Sequence, residues 1–384
     1  MQVHIFDAVR TARGKARPDG GLAAFKPQEL VTGLVDALVA RGRDARRVEA
    51  LTLGCVGQVG AQGGHIALVS KLHAGIDDRA ATATINNYCV SGLTAVGQAA
   101  LSIATGQAQR TLAGGVEMMS KVPFMGDDAA YYRDQSFPKS QRYVPVVVAA
   151  DRLAERLGLA RGQLDEVAFE SQRKSAIAET DTALMASRIT LGNLSQDECL
   201  RTTTTRESLA AMAPAFAAVA AQYASALEGP IDHRHTIAHA PPVCDGAGLV
   251  LLGTERAYDV SPRARIVAQA ESGGDACDSL LGGFSAMRCA LERAKLTLDA
   301  MDRIEFMESF AVTIAKFLRD QPVDADRVNV GGGHIARGHP MGASGAILLS
   351  TLLDALDAAR GRYGLVVCTG AGGVGSAMVV ERLT

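Results

Sequence analysis

Tryptophan is absent from this 384-residue chain, aromatic residues reach only 4%, and neither charge sign dominates: 39 Lys and Arg face 41 Asp and Glu, a formal net charge of -2. That balance leaves no basic face for nucleic acid or for an acidic membrane surface. No apolar run reaches the roughly 18 to 20 residues that a bilayer crossing needs. The opening MQVHIFDAVRTARGK reads as a strand without a charged-then-apolar leader, so the cytoplasm is the expected location. The seven cysteines, at 55, 89, 199, 244, 277, 289 and 368, are odd in number and contain no Cys-x-x-Cys pair. Neither a disulfide framework nor a structural metal site is expected from them.

What the chain has is apolar mass and glycine: 48% hydrophobic residues and 40 glycines, the texture of an α/β protein. Its length exceeds one ordinary core and predicts two or three packed lobes. The pattern repeats once. Cys89-Val90-Ser91-Gly92-Leu93-Thr94-Ala95 opens an Ala-rich helical run to about Thr105, followed by the strand Arg110–Ala113 and then Gly114-Gly115. Gly342-Ala343-Ser344-Gly345-Ala346 opens a second run to about Arg360, followed by the strand Leu365–Cys368 and the loop Gly370–Gly373. Residues 47–51 and 303–307 also echo each other. A duplicated, mostly parallel α/β unit accounts for both halves. Between them, from about 117 to 242, the texture turns irregular, with DDAAYYRDQSFPKSQRY, the β-favouring run Thr202–Thr205, and two predicted amphipathic helices. Leu153, Leu157, Val167, Phe169 and Ile177 mark the helices' apolar positions, and residues 159–164 mark the turn between them. This section reads as a lobe inserted over the active face.

Three stretches carry chemistry. Cys89 precedes an apolar helix, whose unpaired N–H groups and positive end favour a thiolate. Most cysteines beside such a helix are inert, so this position alone decides nothing. His339 lies in Gly338-His339-Pro340-Met341-Gly342, a rigid loop that would hold a general base with a pKa near neutrality. The run Cys368-Thr369-Gly370-Ala371-Gly372-Gly373 ends a strand in a glycine loop able to aim backbone N–H groups at an oxyanion.

Together and in this order, INNYCVSGLTA, GGGHIARGHPMGASG and the C-terminal strand with its glycine loop resemble the thiolase family of acyl-CoA C-acyltransferases. Val9-Arg10-Thr11, AGGVEMMSKVP at 113–123, CDGAG at 244–248 and MESFA at 307–311 extend the likeness over essentially the whole chain. The resemblance implies a five-layered αβαβα fold of two duplicated halves. The first half would comprise 1–116 with 243–260, the second 261–384, and 117–242 would be an inserted CoA-binding loop domain. It implies Cys89 as nucleophile, His339 as its base, and the N–H groups of Cys89 and Ala371 as oxyanion donors. It also implies acyl-CoA and coenzyme A as substrates with no permanently bound cofactor, and a homodimer or homotetramer. The family reaction is cleavage of a 3-ketoacyl-CoA by CoA, or the reverse condensation.

Two departures stand out. The family's third motif begins with Asn or His; here it is Met307-Glu308-Ser309-Phe310, and a thioether cannot hold a water as an amide does. The family's second cysteine aligns with Thr369, one residue beyond Cys368, and a one-residue step along a strand reverses the face. Thr369 is the expected site residue, with Cys368 as the alternative. Threonine cannot shuttle a proton near neutrality. The competing functions are therefore altered thiolase-like chemistry, either decarboxylative condensation or acyl transfer to a heteroatom, and a silent CoA-binding scaffold. Arg201 and Pro241 are the candidate CoA contacts. His233, His235 and His239 cluster without the further ligands a metal site needs.

Overall fold

The structure, a computed structural model, describes residues 1–276 and 279–383; Cys277, one of the seven cysteines, lies outside the described residues. The strands are β1 (Val3–Thr11), β2 (Gly14–Lys15), β3 (Ala50–Gly54), β4 (Ala81–Ile85), β5 (Arg110–Met118) and β6 (Arg188–Ile189). After them come β7 (Cys244–Gly253), β8 (Ala264–Ser272), β9 (Arg303–Phe306), β10 (Tyr363–Thr369) and β11 (Gly375–Arg382). They form one sheet in the order β4-β3-β5-β7-β1-β8-β11-β10-β9, with β2 beside β7 and β6 beside β1. The order carries the duplication: β3, β5, β7 and β1 occupy in one half the places that β9, β10, β11 and β8 occupy in the other. Within the sheet the halves join at β1 and β8, whose register runs from Val3↔Ile266 to Ile5↔Ala264.

The sheet is mixed, which corrects the expectation of mostly parallel strands. Pairs β3–β4, β3–β5 and β9–β10 are parallel, whereas β5–β7, β7–β1, β1–β8, β8–β11 and β11–β10 are antiparallel. The reason is connection length. Only the short glycine turn separates β10 from β11, and a parallel crossover needs a dozen residues or more.

Helices stack on this sheet in three layers. Pro27–Ala40 and Ile66–Ala74 cover the outer face of the first half, closing a core with Leu30, Leu34, Leu51, Leu112 and Leu249. Gly282–Ala294 and Ala311–Asp320 do the same for the second half, around Phe284, Phe306 and Phe317. Between the halves lie Ser91–Ala104 and Ser344–Ala359, whose core joins Leu93 and Val96 to Leu348, Leu352 and Val366. Contrary to the sequence expectation that no run is long enough, Met341–Ala359 is long and apolar enough to cross a membrane, but 83% of its apolar window is buried in this central layer.

The central helices cross where both are glycine. A Cβ at Gly92 would stand 2.7 Å from the Gly342 carbonyl, and one at Gly345 would stand 2.4 Å from the Leu93 nitrogen. No side chain fits there, so the helix starts close on each other. This contact brings the loops bearing Cys89 and His339 to one place.

The inserted section contains the two expected helices, Val146–Arg156 and Arg161–Ala178. Leu153, Leu164 and Val167 are buried against the second half's core, with Leu157 and Phe169 packed at its margin, whereas Ile177 is exposed. Thr202–Thr205 form no strand: the Thr205 hydroxyl accepts from the Ser208 N–H and caps Arg206–Ala210. Competition between threonine side chains and the backbone favours that cap over a ladder.

Candidate active site

The two central helices and the β10–β11 turn converge on a cavity of about 220 Å³ whose lining includes Cys89, His339, Thr369, Gly370, Ser309 and Pro241. Tyr88, immediately before Cys89, takes a left-handed φ of 47°, which turns the chain sharply into the helix. Cys89 is partly exposed to the cavity, and the backbone N–H groups of Ala371 and of Cys89 itself lie where they favour its anion. Gly370 permits this approach, because a Cβ there would come within 3.3 Å of the Cys89 nitrogen.

The helix start does not make Cys89 a thiolate. Burial pushes its pKa up to about 12, the buried Glu117 carboxylate pushes the same way, and the N–H groups oppose them only in part. His339 is buried, and burial with the nearby Arg13 guanidinium brings its pKa down to about 3. Both findings correct the sequence expectations of a thiolate and a near-neutral base. Desolvation penalises each charged form more than the local dipoles favour it. The resting pair is thiol and neutral imidazole.

His339 is held from three sides. Its Nδ1 lies 2.7 Å from the Ser344 hydroxyl, its N–H donates to the Pro242 carbonyl at 2.9 Å, and the His334 ring meets it edge-on with centroids 5.1 Å apart. With Nδ1–H donating to the Ser344 hydroxyl, Nε2 carries a lone pair, and Nε2 has no partner among the described residues.

Thr369 and Cys368 separate by face, as strand geometry requires. Thr369 lines the cavity, and its buried hydroxyl has no hydrogen-bond partner among the described residues. Cys368 points into the central core beside Leu348 and Met378, where burial holds its thiol well above the usual range. In the third motif Met307 is fully buried in that same core, while Ser309 lines the cavity and donates to the Thr369 carbonyl at 3.0 Å. Glu308 reaches neither group. It accepts from Ser171, Ile335 N–H and Asn329, tying the helix Arg161–Ala178 to the second half.

Pro241 is at the cavity wall, whereas Arg201 is not. Arg201 lines an adjoining cavity of about 410 Å³ with Thr202, Thr203 and Thr204, and Ala240 borders both spaces. The histidine cluster is structural: His233 and His235 both pair with Asp151 at 2.8 Å, and His239 pairs with Asp165 at 2.7 Å. No group of residues able to hold a metal ion occurs among the described residues.

Sequence reasoning passed over Glu117. It is fully buried and accepts from Val56 N–H at 2.8 Å, Gly57 N–H at 3.0 Å, Gln62 at 2.7 Å and Gly342 N–H at 3.0 Å. It thus clamps the loop after β3 to the loop of the His339 motif. A lone carboxylate inside the apolar run of β5 was the available signal.

The family models for "Thiolase, N-terminal domain" and "Thiolase, C-terminal domain" match residues 3–256 and 260–382. Among curated proteins, the chain is 35% identical to the "3-oxoadipyl-CoA/3-oxo-5,6-dehydrosuberyl-CoA thiolase" of Escherichia coli, covering 100% of both. It is 33% identical to an "Acetyl-CoA acetyltransferase" of the same organism, covering 99% of this chain and 98% of that one. Among solved structures, human mitochondrial 3-ketoacyl-CoA thiolase aligns with a TM-score of 0.88 at 26% identity, covering 100% of this chain and 99% of that one. The acetyl-CoA acetyltransferase of Bacillus anthracis aligns at 0.85 and 27%, with the same coverage. The chain belongs to the thiolase family.

Proposed function

We propose that this acyl-CoA thiolase carries its acyl group on Cys89, with His339 as the base that frees the thiol and the N–H groups of Cys89 and Ala371 as the oxyanion donors. The observation that carries this is that Cys89 and His339 line one cavity, with the Ala371 N–H acting on the Cys89 sulfur and Nε2 of His339 without a partner among the described residues. As the Cys89 sulfur bonds to the carbonyl carbon, its proton passes to Nε2 and negative charge gathers on the carbonyl oxygen. Two fixed N–H donors stabilise that charge where it forms. Collapse expels the leaving group, which takes the proton back from the imidazolium. A thiol–imidazole pair suits this sequence, because charge appears only once substrate has filled the cavity.

In the cleavage direction the leaving group is the α-carbon of an acyl-CoA, and an incoming CoA thiol then takes the acyl group from Cys89. A second reading keeps the loading step and changes the acceptor: decarboxylative condensation, or transfer to a heteroatom. The face separation of Thr369 and Cys368 favours it, since Cys89 is the only thiol at the cavity wall among the described residues. Thiolytic cleavage of acetoacetyl-CoA separates the readings. The first expects turnover in the wild type and its loss in Cys89→Ala. The second expects little turnover in the wild type and a gain in Thr369→Cys.

The surrounding proposals are a cytoplasmic location and a homodimer or homotetramer. The near-balanced charge supports the first. β4, an edge strand with much of its surface open, supports the second. Arg201, on the adjoining cavity, is proposed to meet the nucleotide end of CoA, with the pantetheine passing Pro241. The relatives' names span oxoadipyl and acetyl groups, so identity alone does not choose the acyl chain.

A further inference from the structure

We propose that the acyl chain accepted here is an uncharged hydrocarbon, and that the cavity itself rejects a chain ending in a carboxylate; this rests on Cys89 being the acyl carrier. The thioester carbonyl must reach Cys89, so the carbons that follow it lie against the same wall. That wall includes Met119, Phe124, Val147, Leu280, Phe310 and Met341, and no lysine or arginine lines it among the described residues. The polar side chains present are Cys89, Ser309, Thr369 and His339. The serine hydroxyl is engaged by the Thr369 carbonyl, and burial and Arg13 keep the imidazole neutral.

Nearby charges sharpen the selection. The carboxylates of Glu117 and Asp127 act on Cys89 and Tyr88, so a chain with a terminal carboxylate would meet like charge. Lys121, close to Met119 in sequence, turns away and donates to the Ala23 carbonyl at 2.6 Å. Arg13 acts on His339 but does not line the cavity, and its backbone N–H donates to Asp197 at 2.9 Å. The two N–H groups at Cys89 are committed to the carbonyl oxygen. A terminal carboxylate would therefore leave water with no cation to meet it and only the Thr369 hydroxyl as a free neutral donor, which is the costly way to bury a charge. A methyl end gains from the same wall.

The test compares two six-carbon acyl groups that differ at one end. Purified protein is mixed with hexanoyl-CoA or adipyl-CoA, and acylation of Cys89 is followed by mass spectrometry over time, with acetyl-CoA as the reference. Hexanoyl loading at least tenfold faster than adipyl loading is expected. A smaller ratio, with acetyl-CoA loading intact, overturns the selectivity and leaves the acyl-carrier reading standing. Loading by none of the three overturns both. A second arm uses Phe124→Arg, at a side chain 43% exposed where a guanidinium stays hydrated. Its adipyl-to-hexanoyl ratio is expected to rise at least fivefold, and an unchanged ratio counts against the missing cation as the cause.

Discussion

Cys89 and His339 face one cavity at neutral pH as thiol and imidazole, and that state has a measurable signature. With the thiol pushed up to about 12, the thiolate fraction of the free enzyme stays small until strongly alkaline pH. Alkylation of Cys89 by iodoacetamide is expected to climb steadily above pH 9. A plateau between pH 7 and 8 would mean a preformed thiolate instead. Replacing His339 by alanine should lower acyl transfer about 10²- to 10⁴-fold, the usual contribution of a positioned base, with little change in the unfolding midpoint. Stopped-flow acylation and thermal unfolding of the same variant measure the two. At this scale much was legible. The Cys and Gly-His-Pro motifs mark their residues directly, and the period of a strand was enough to place Thr369 and Cys368 on opposite faces. The protonation states were not legible, because desolvation depends on neighbours far apart in the chain: Arg13 and Glu117 come from β-strand regions that no local window joins to residues 89 and 339.

Among the elements, the crossing of the two central helices positions the site. Gly345→Ala would force a Cβ against the Leu93 backbone, so the helices must part. An overpacked core of this kind costs about 1–3 kcal/mol. Denaturant unfolding of the variant should show that loss, and activity should fall with it as the two loops separate. An unchanged midpoint with full activity would show that the crossing is looser than the structure has it. Strand β9 makes a different prediction. Burial and the neighbouring Glu308 push Glu305 up to about 8, against about 4.3 in an unfolded chain. Below about pH 4 both states hold the proton and Glu305 costs nothing. As pH rises to 8, the unfolded chain releases its proton first, so native stability falls. Glu305→Gln removes that loss, and its advantage over the wild type in urea melts should grow from pH 5 to pH 8. Helix and strand periods revealed most of these elements and the duplication behind them. Strand direction was not visible, since pattern alone does not distinguish a crossover from the tight β10–β11 hairpin.

Across the whole molecule, one buried ion network ties the parts together. Asp197, in the inserted section, accepts from Arg10 of β1 at 2.9 Å and from Arg337 of the second half at 2.7 Å, and Arg337 also meets Glu179 at 2.8 Å. The guanidinium groups of Arg10, Arg337 and Arg13 hold the Asp197 carboxyl well below the usual range against its burial. Its contribution is complete above the unfolded pKa of about 3.9 and is lost as pH falls through the lower native value. Asp197→Ala would strand buried cations and should cost about 3–5 kcal/mol in urea unfolding at pH 7. Such a network joins residues nearly two hundred positions apart, and nothing in the local sequence around Asp197 announces it. The family likeness reached the arrangement of the whole chain earlier than physical patterning did.

The central claim is that Cys89 holds the acyl group. Brief incubation with acetyl-CoA, rapid acid quench and peptide mapping by mass spectrometry address it directly. An acetyl group on the peptide containing Cys89, absent from Cys89→Ala and reduced in His339→Ala, is the predicted result. An unmodified Cys89, or an acetyl group that persists on another residue in Cys89→Ala, would contradict the account.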